Sequence, residues 1–283
     1  MPRIAVITDT DSSLPLDLAQ KHNIVQVPII VQFGDESLRD IYEIEDKTLF
    51  HRIDKEKKLP TTSAPAPGQF VEAYKQAFEK GADSILCYTI SSEMSSVYQS
   101  AMSARDMLPD RDITVIDSQT LCMAQGFMVL TAADALAKGA SKEEAIAAAE
   151  DVCQRTHLFA ALSTLKYLAM SGRVGHLAAG IAGLLEIKPI LTVSAGRLQM
   201  LERIRTQRKS RARVVELAVE AAAGRKIERM ALLHVSASEA ARDFEPMIRQ
   251  ALPSSNLIYA AMNPGLSVHT GLGLVGVVFT TEK

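Results

Sequence analysis

Two α/β domains, the first built on a parallel sheet and the second on a mixed sheet, are what this sequence predicts. Three observations lead there. Short β-branched runs alternate with helical patterns up to about residue 155, the signature of crossover units in a parallel sheet covered by helices. Beyond that point a hairpin, KPILTV and LQMLERI around Gly196, enters among the crossovers and brings antiparallel pairing. A length of 283 residues favours two domains over one. The expected division is 1–155 and 156–283, with no long Pro/Ser linker between.

The elements follow in order. Ile4 to Ile7 reads as a buried strand, with turn chemistry at Asp9 to Ser13 and a helix near 14–22. Residues 24–31 read as one strand, in which Pro28 marks an edge or a bulge. A polar stretch, 34–47, leads to a short helix near 46–54. Phe70, Tyr74, Ala77 and Phe78 share one helical face, and Gly81 supplies the stop. Strand 84–89, a helix through Val97 and Leu108, strand 113–116 and Ala-rich helices 120–138 and 142–154 complete the first half. The second half reads as strand 158–162, a Gly-bearing stretch 171–183, the hairpin, helix 209–222, strand 230–236, helix 239–251 and strands 257–261 and 274–280.

Composition excludes several classes. Lys plus Arg is 31 and Asp plus Glu 33, for a formal charge of −2, and the hydrophobic fraction is 47%. These are globular values that argue against disorder or a nucleic-acid binder. Three cysteines at 87, 122 and 153, with no Cys-x-x-Cys, indicate neither a disulfide framework nor a zinc site and fit a reducing cytoplasm. The longest apolar runs are nine residues, where a membrane span needs about twenty. Gly271, Gly273 and Gly276 match G-x-G-x-x-G, but only seven residues follow, too few for a dinucleotide-binding βαβ unit. No phosphate loop, nucleophile elbow or H-E-x-x-H pair occurs.

Five segments carry chemistry. PTTSAPAPGQF (60–70) presents Thr61, Thr62 and Ser63 on a proline-stiffened loop ahead of a helix, which suits an anion and suits ordinary capping. ISSEMSSVYQSA (90–101) places Ser91, Ser92 and Ser95 at the carboxyl end of a strand, where α/β sheets gather ligands; Ser95 is also a natural helix cap. In LKYLAMSGRVGHL (165–177), Arg173 between Gly172 and Gly175 can meet a carboxylate or phosphate, or simply face solvent. In GLSVHTGLG (265–273), His269 and Thr270 stand in a loop as a donor, a proton shuttle or a turn residue. RIRTQRKSRAR (203–213), with Arg205, Arg208 and Lys209, straddles a helix N-terminus. Cations are mildly unfavourable there, so an acidic or phosphate-bearing partner competes with a solvated face.

Together with ITDTDSSL, TVIDSQT and LLEIKPIL, these segments resemble the DegV family of bacterial fatty-acid-binding proteins over essentially the full length. The resemblance implies an N-terminal three-layer α/β/α domain with a parallel sheet and a C-terminal two-layer α/β domain with a mixed sheet. A long-chain, palmitate-like fatty acid is held between them. It maps carboxylate-holding roles onto Thr62, Ser95, His269 and Arg173, with Ser63, Ser91, Ser92 and Thr270 as secondary contacts. It implies a non-catalytic, cytoplasmic carrier with no metal and no cofactor, which presents its acyl chain to a fatty-acid kinase. Arg205, Arg208 and Lys209 are then the docking residues. The sequence departs from the family at Ser96 and Val97, where Gly-Thr is usual, at Ser171, and at Ala66, where a capping serine is common. A serine hydrolase using Ser95 or Ser91 with His269 and Asp117 is the alternative reading, and a non-lipid scaffold a third.

Overall fold

A computed structural model describes residues 3–173 and 187–283. Val174 to Glu186, which include Gly175 and the start of LLEIKPIL, lie outside the described residues. The chain opens with β1 (Ile4–Asp9), α1 (Leu16–Lys21), β2 (Ile24–Val27), β3 (Ile30–Phe33), β4 (Glu36–Arg39), α2 (Asp46–Glu56) and β5 (Thr61–Ser63). There follow α3 (Pro67–Glu79), β6 (Ser84–Thr89), α4 (Val97–Asp106), β7 (Asp112–Asp117), α5 (Cys122–Ala137) and α6 (Lys142–Gln154). The remainder is β8 (Thr156–Ala161), α7 (Lys166–Met170), β9 (Lys188–Ser194), β10 (Arg197–Ile204), α8 (Gln207–Ala222), β11 (Ile227–His234), α9 (Ser238–Ala251), β12 (Leu257–Ala261), α10 (Pro264–Thr270) and β13 (Val275–Thr281).

Two compact units divide the chain. One comprises Met1–Ile30, Ser63–Gln154 and Ala195–Arg197; the other Val31–Thr62, Arg155–Ser194 and Leu198–Lys283. Residues 31–62, which a single cut at 155/156 assigns to the first domain, therefore pack with the second unit. Pro28 marks the departure. The expected single strand 24–31 ends at Val27, because proline cannot donate to the next rung. The chain resumes at Ile30 in a different, three-stranded sheet ordered β4-β3-β5.

The first unit is a parallel sheet ordered β2-β1-β6-β7. All six residues of β6 are buried, and successive side chains point to opposite faces. Cys87 meets the Tyr74 hydroxyl of α3 on one face, while Tyr88 faces Glu150 of α6 on the other. Helices therefore cover both faces, which makes three layers. Helix α5 is apolar around almost its whole circumference and lies buried under α6, whose Ala145, Ala149 and Val152 close over it. The three cysteines are free. Burial pushes the Cys87 thiol up to about 12, so it behaves as a small apolar side chain.

Strand order reverses between β1 and β6, and their carboxyl ends form the place where open α/β sheets usually take a ligand. An internal hydrogen-bond network stands at those ends. The fully buried Asp9 carboxylate accepts from Asp11 N at 2.9 Å, Ile90 N at 2.8 Å and Gln125 Nε2 at 3.2 Å.

In the second unit six strands run in the order β10-β9-β8-β13-β11-β12. The pair β11–β12 is parallel, while β13 lies antiparallel to β11 and β8, and β8 antiparallel to β9. Helices α8 and α9 pack on the sheet, with Val214, Phe244 and Ile248 set against Phe159, Met230 and Phe279 in one apolar core. The segment around His269, expected as a loop, is the short helix α10. Pro264 occupies its first turn, where the missing N–H costs nothing, and Gly271 ends it.

Gly276, the last glycine of the rejected dinucleotide pattern, lies within β13 opposite Ala160 and Leu233. A Cβ there would stand 2.8 Å from the Phe159 carbonyl oxygen, a backbone atom that cannot yield. Gly276→Ala is expected to lower stability by about 1–3 kcal/mol through overpacking, read as a lower urea midpoint at unchanged m-value.

Candidate functional site

Three of the four residues implied as carboxylate ligands come together in the second unit. Half-buried Thr62 sits in β5, and its hydroxyl hydrogen-bonds His269 Nε2 at 2.8 Å across 207 residues of chain. His269 occupies the last turn of α10. Arg173 lies close enough for its guanidinium to act on the imidazole.

Local chemistry explains each placement. Helix α7 ends in a Schellman motif: Gly172 N donates to Ala169 O at 3.3 Å and Arg173 N to Leu168 O at 3.0 Å, with Gly172 left-handed at φ 72°. Arg173 thereby follows directly on the left-handed glycine that ends the helix. Its side chain is exposed, and Nη1 donates to Ser171 O at 2.7 Å. The expected open, glycine-supported turn is thus present on its N-terminal side.

The glycines after His269 are required by contact. Gly271 has φ 76°, and a Cβ on it would run into the Tyr167 ring, which itself meets Phe50 edge-on at 6.1 Å. Gly273 has φ 81°, and its Cβ would stand 2.5 Å from Ser163 Oγ. Both the backbone angle and the space exclude a larger residue.

Burial, and then the Arg173 charge, push His269 down to about 4. The imidazole is neutral at neutral pH. Its Nδ1 is buried without a hydrogen-bond partner among the described residues. Two residues earlier, Ser267 lies beside Asp46 of α2, whose carboxyl burial pushes up to about 6 while Ser267 and the Ser236 backbone pull it down. The arrangement offers a hydroxyl, a neutral imidazole and an adjacent guanidinium. That is a donor set for a carboxylate, with one positive charge held nearby.

The remaining expected residues are placed differently. Thr270 back-bonds within α10, its Oγ1 donating to Leu266 O at 3.1 Å. Ser63 is exposed at the end of β5. In the first unit Ser91 Oγ donates to Gly196 O at 2.8 Å, and Ser92 Oγ donates to Asp117 at 2.5 Å. These two hydroxyls hold turns. Half-buried Ser95 is not the helix cap, because α4 starts at Val97, and its hydroxyl is uncommitted among the described residues. Arg205, Arg208 and Lys209 are exposed where β10 passes into α8, and the Thr206 side chain caps that helix by accepting from Lys209 N at 3.3 Å.

The geometry also weighs against a hydrolase. Asp117, the acid nominated to orient His269, is occupied by Ser92 and Gln119, and no carboxylate holds Nδ1 among the described residues. No set of three or more His, Cys, Asp or Glu able to hold a metal occurs among the described residues. None of the described helices is long and apolar enough to cross a membrane.

Sequence reasoning missed Tyr167, Asp40 and Asp46 as supports of α10. Asp40 and Asp46 lie in or beside the polar stretch read as a connection, and no local pattern marks their partners some 220 residues away. A buried acid in a polar linker leaves no periodic signal.

Comparison with known proteins agrees with this frame. A family model described as "Uncharacterised protein, DegV family" matches residues 3–282. A DegV domain-containing protein of Streptomyces coelicolor is 33% identical over 280 residues, covering 99% of each chain. Protein DegV of Bacillus subtilis is 30% identical over 275 residues, covering 97% of this chain and 98% of its own. Among solved structures, a DegV family protein of Thermus thermophilus described for its fatty acid binding superposes with a TM-score of 0.92 at 31% identity, over 99% of this chain and 100% of that one. The B. subtilis DegV crystal structure, described as a fatty acid binding protein, gives 0.90 at 29% identity with full coverage of both. The chain belongs to the DegV family.

Proposed function

We propose that this protein binds a long-chain, palmitate-like fatty acid, with the carboxylate received by the Thr62 hydroxyl, His269 and Arg173. The observation that carries this is the Thr62–His269 hydrogen bond at 2.8 Å with Arg173 acting on the same imidazole. The similar structures described as fatty-acid-binding support the ligand class. The reading is of a carrier, without a reaction of its own.

The energetics divide between tail and head. Each buried methylene contributes about 0.8 kcal/mol, so roughly fifteen supply on the order of 12 kcal/mol gross, from which the lost freedom of both partners subtracts several. The head group adds orientation, because a carboxylate leaves water only when paired. Bonded to each other, the Thr62 hydroxyl and the neutral His269 imidazole keep one proton to donate, which meets the carboxylate without a tight ion pair. The acid oxygen is then free to accept a phosphoryl group from a partner kinase. Arg205, Arg208 and Lys209 fit the docking of an acidic or phosphate-bearing surface, since positive charge at the α8 N-terminus is unfavourable for the helix itself. Arg213, from the same basic run, is already neutralised by Glu202, Glu216 and Glu220.

Native mass spectrometry of protein from a bacterial host is expected to find a co-purified acid of palmitate-like mass. Thr62→Ala and His269→Ala should each weaken palmitate binding about tenfold, the loss of one good hydrogen bond to a charged group, measured by calorimetry. Unchanged affinity in both would sink the reading. The same assay on Ser95→Ala tests the first unit's hydroxyl by itself.

Followed by NMR, His269 should titrate near pH 4 in the ligand-free protein, and Arg173→Ala should raise that midpoint while burial keeps it below the ordinary value. The folded imidazole binds its proton less readily than the unfolded one. Stability from this group is therefore whole above the unfolded value of about 6.5 and is lost as the pH falls toward 4. For the kinase step, reversing Arg205, Arg208 and Lys209 to Glu together should keep palmitate affinity and abolish acyl-phosphate formation with a fatty-acid kinase. Equal loss of both would contradict the docking role.

A further inference from the structure

We infer that Asp40 is a positioning residue for the carboxylate site, fixing the far end of α10 so that His269 meets Thr62. The inference rests on the fatty-acid reading and extends it to a residue outside the ligand-contacting set. Asp40 is fully buried. Its Oδ2 accepts from Asn263 Nδ2 and, at 3.3 Å, from the backbone N of Gly265 in the first turn of α10. Asn263 precedes that helix but makes no side-chain cap of its own. Asp40 thus supplies an acceptor to the helix start from 225 residues away.

The turn that delivers Asp40 is strained to do so. Ile41, a β-branched residue, has φ 56°, a conformation that persists only where the surroundings over-determine it. Around it, Arg39 N donates to Glu43 Oε2 at 2.7 Å, and Glu43 N donates to Arg39 O at 2.8 Å. A seven-residue helix has too few internal bonds to set its own position, so its anchors set it. Asp40 holds its first turn, and Thr62 bonds His269 in its last turn. Both come from Val31–Thr62. Release of the first turn leaves the imidazole free to shift, and a displacement of about 1 Å is enough to break a directional contact.

The test compares palmitate with hexadecanol, which shares the chain and lacks the carboxylate, by competition against a fluorescent fatty acid. Wild-type protein should prefer the acid. Asp40→Ala should lose palmitate affinity about tenfold while hexadecanol affinity holds within about twofold, and the His269 ring ¹⁵N signals should move. Asp40→Asn, which retains an acceptor oxygen, should recover most of the preference. If Asp40→Ala does not fold, Asn263→Ala carries the same comparison, since it removes one donor and leaves the buried charge bonded to Gly265. An acid-to-alcohol ratio unchanged in the folded variant, or both ligands weakened equally, overturns the Asp40 assignment alone. A wild-type protein with no preference for the acid overturns the fatty-acid reading beneath it.

Discussion

The Thr62 hydroxyl can reach the His269 imidazole only because residues 31–62 leave the parallel-sheet unit and pack with the mixed-sheet unit. Much of the second unit's chemistry follows from that excursion. Pro28 ends one strand and forbids its continuation, Ile30 opens another in a separate sheet, and the chain returns at Ser63 into the loop that starts α3. Between those points it contributes a hydroxyl, the buried Asp40, the half-buried Asp46 and the Phe50 ring, each set against α7, α10 or the turns that flank them. A helix of two turns has little stability of its own, so these contacts decide where it lies.

Charge at the site is arranged by burial. Desolvation keeps the imidazole neutral, and the guanidinium beside it reinforces this. Burial also pushes the Asp46 carboxyl up to about 6, so it is still mostly ionised at neutral pH and gives up its charge on mild acidification. Positive charge resides on Arg173 alone of these groups, on an exposed side chain delivered by a left-handed glycine. An anion drawn there meets a permanent cation and neutral donors.

At the strand reversal of the first unit the Asp9 carboxylate accepts from Asp11, Ile90 and Gln125, and Ser91 and Ser92, which follow β6, secure Gly196 and Asp117. A buried acid with satisfied bonds fixes the ends of two strands and the start of α5 relative to one another.

How much was legible divides along physical lines. Residues 4–9 and 275–281 declare their strands by β-branched content, and the amphipathic helices after residue 60 declare themselves by period, because both signals are local. The glycine before Arg173 was also legible, since a left-handed turn residue carries its backbone angle with it, whereas the hydroxyls at 61–63, expected on a loop, lie in strand β5. Helix α10 was not, because a seven-residue helix buried nearly all round has no polar face to set a period. Nor was the membership of residues 31–62, for which only packing decides. By itself the sequence determined the α/β elements, the two kinds of sheet and the residue types available to meet an acid. Tertiary structure alone decided which of those residues meet, because a hydrogen bond across 207 residues depends on where the chain folds back and leaves no trace in its neighbours.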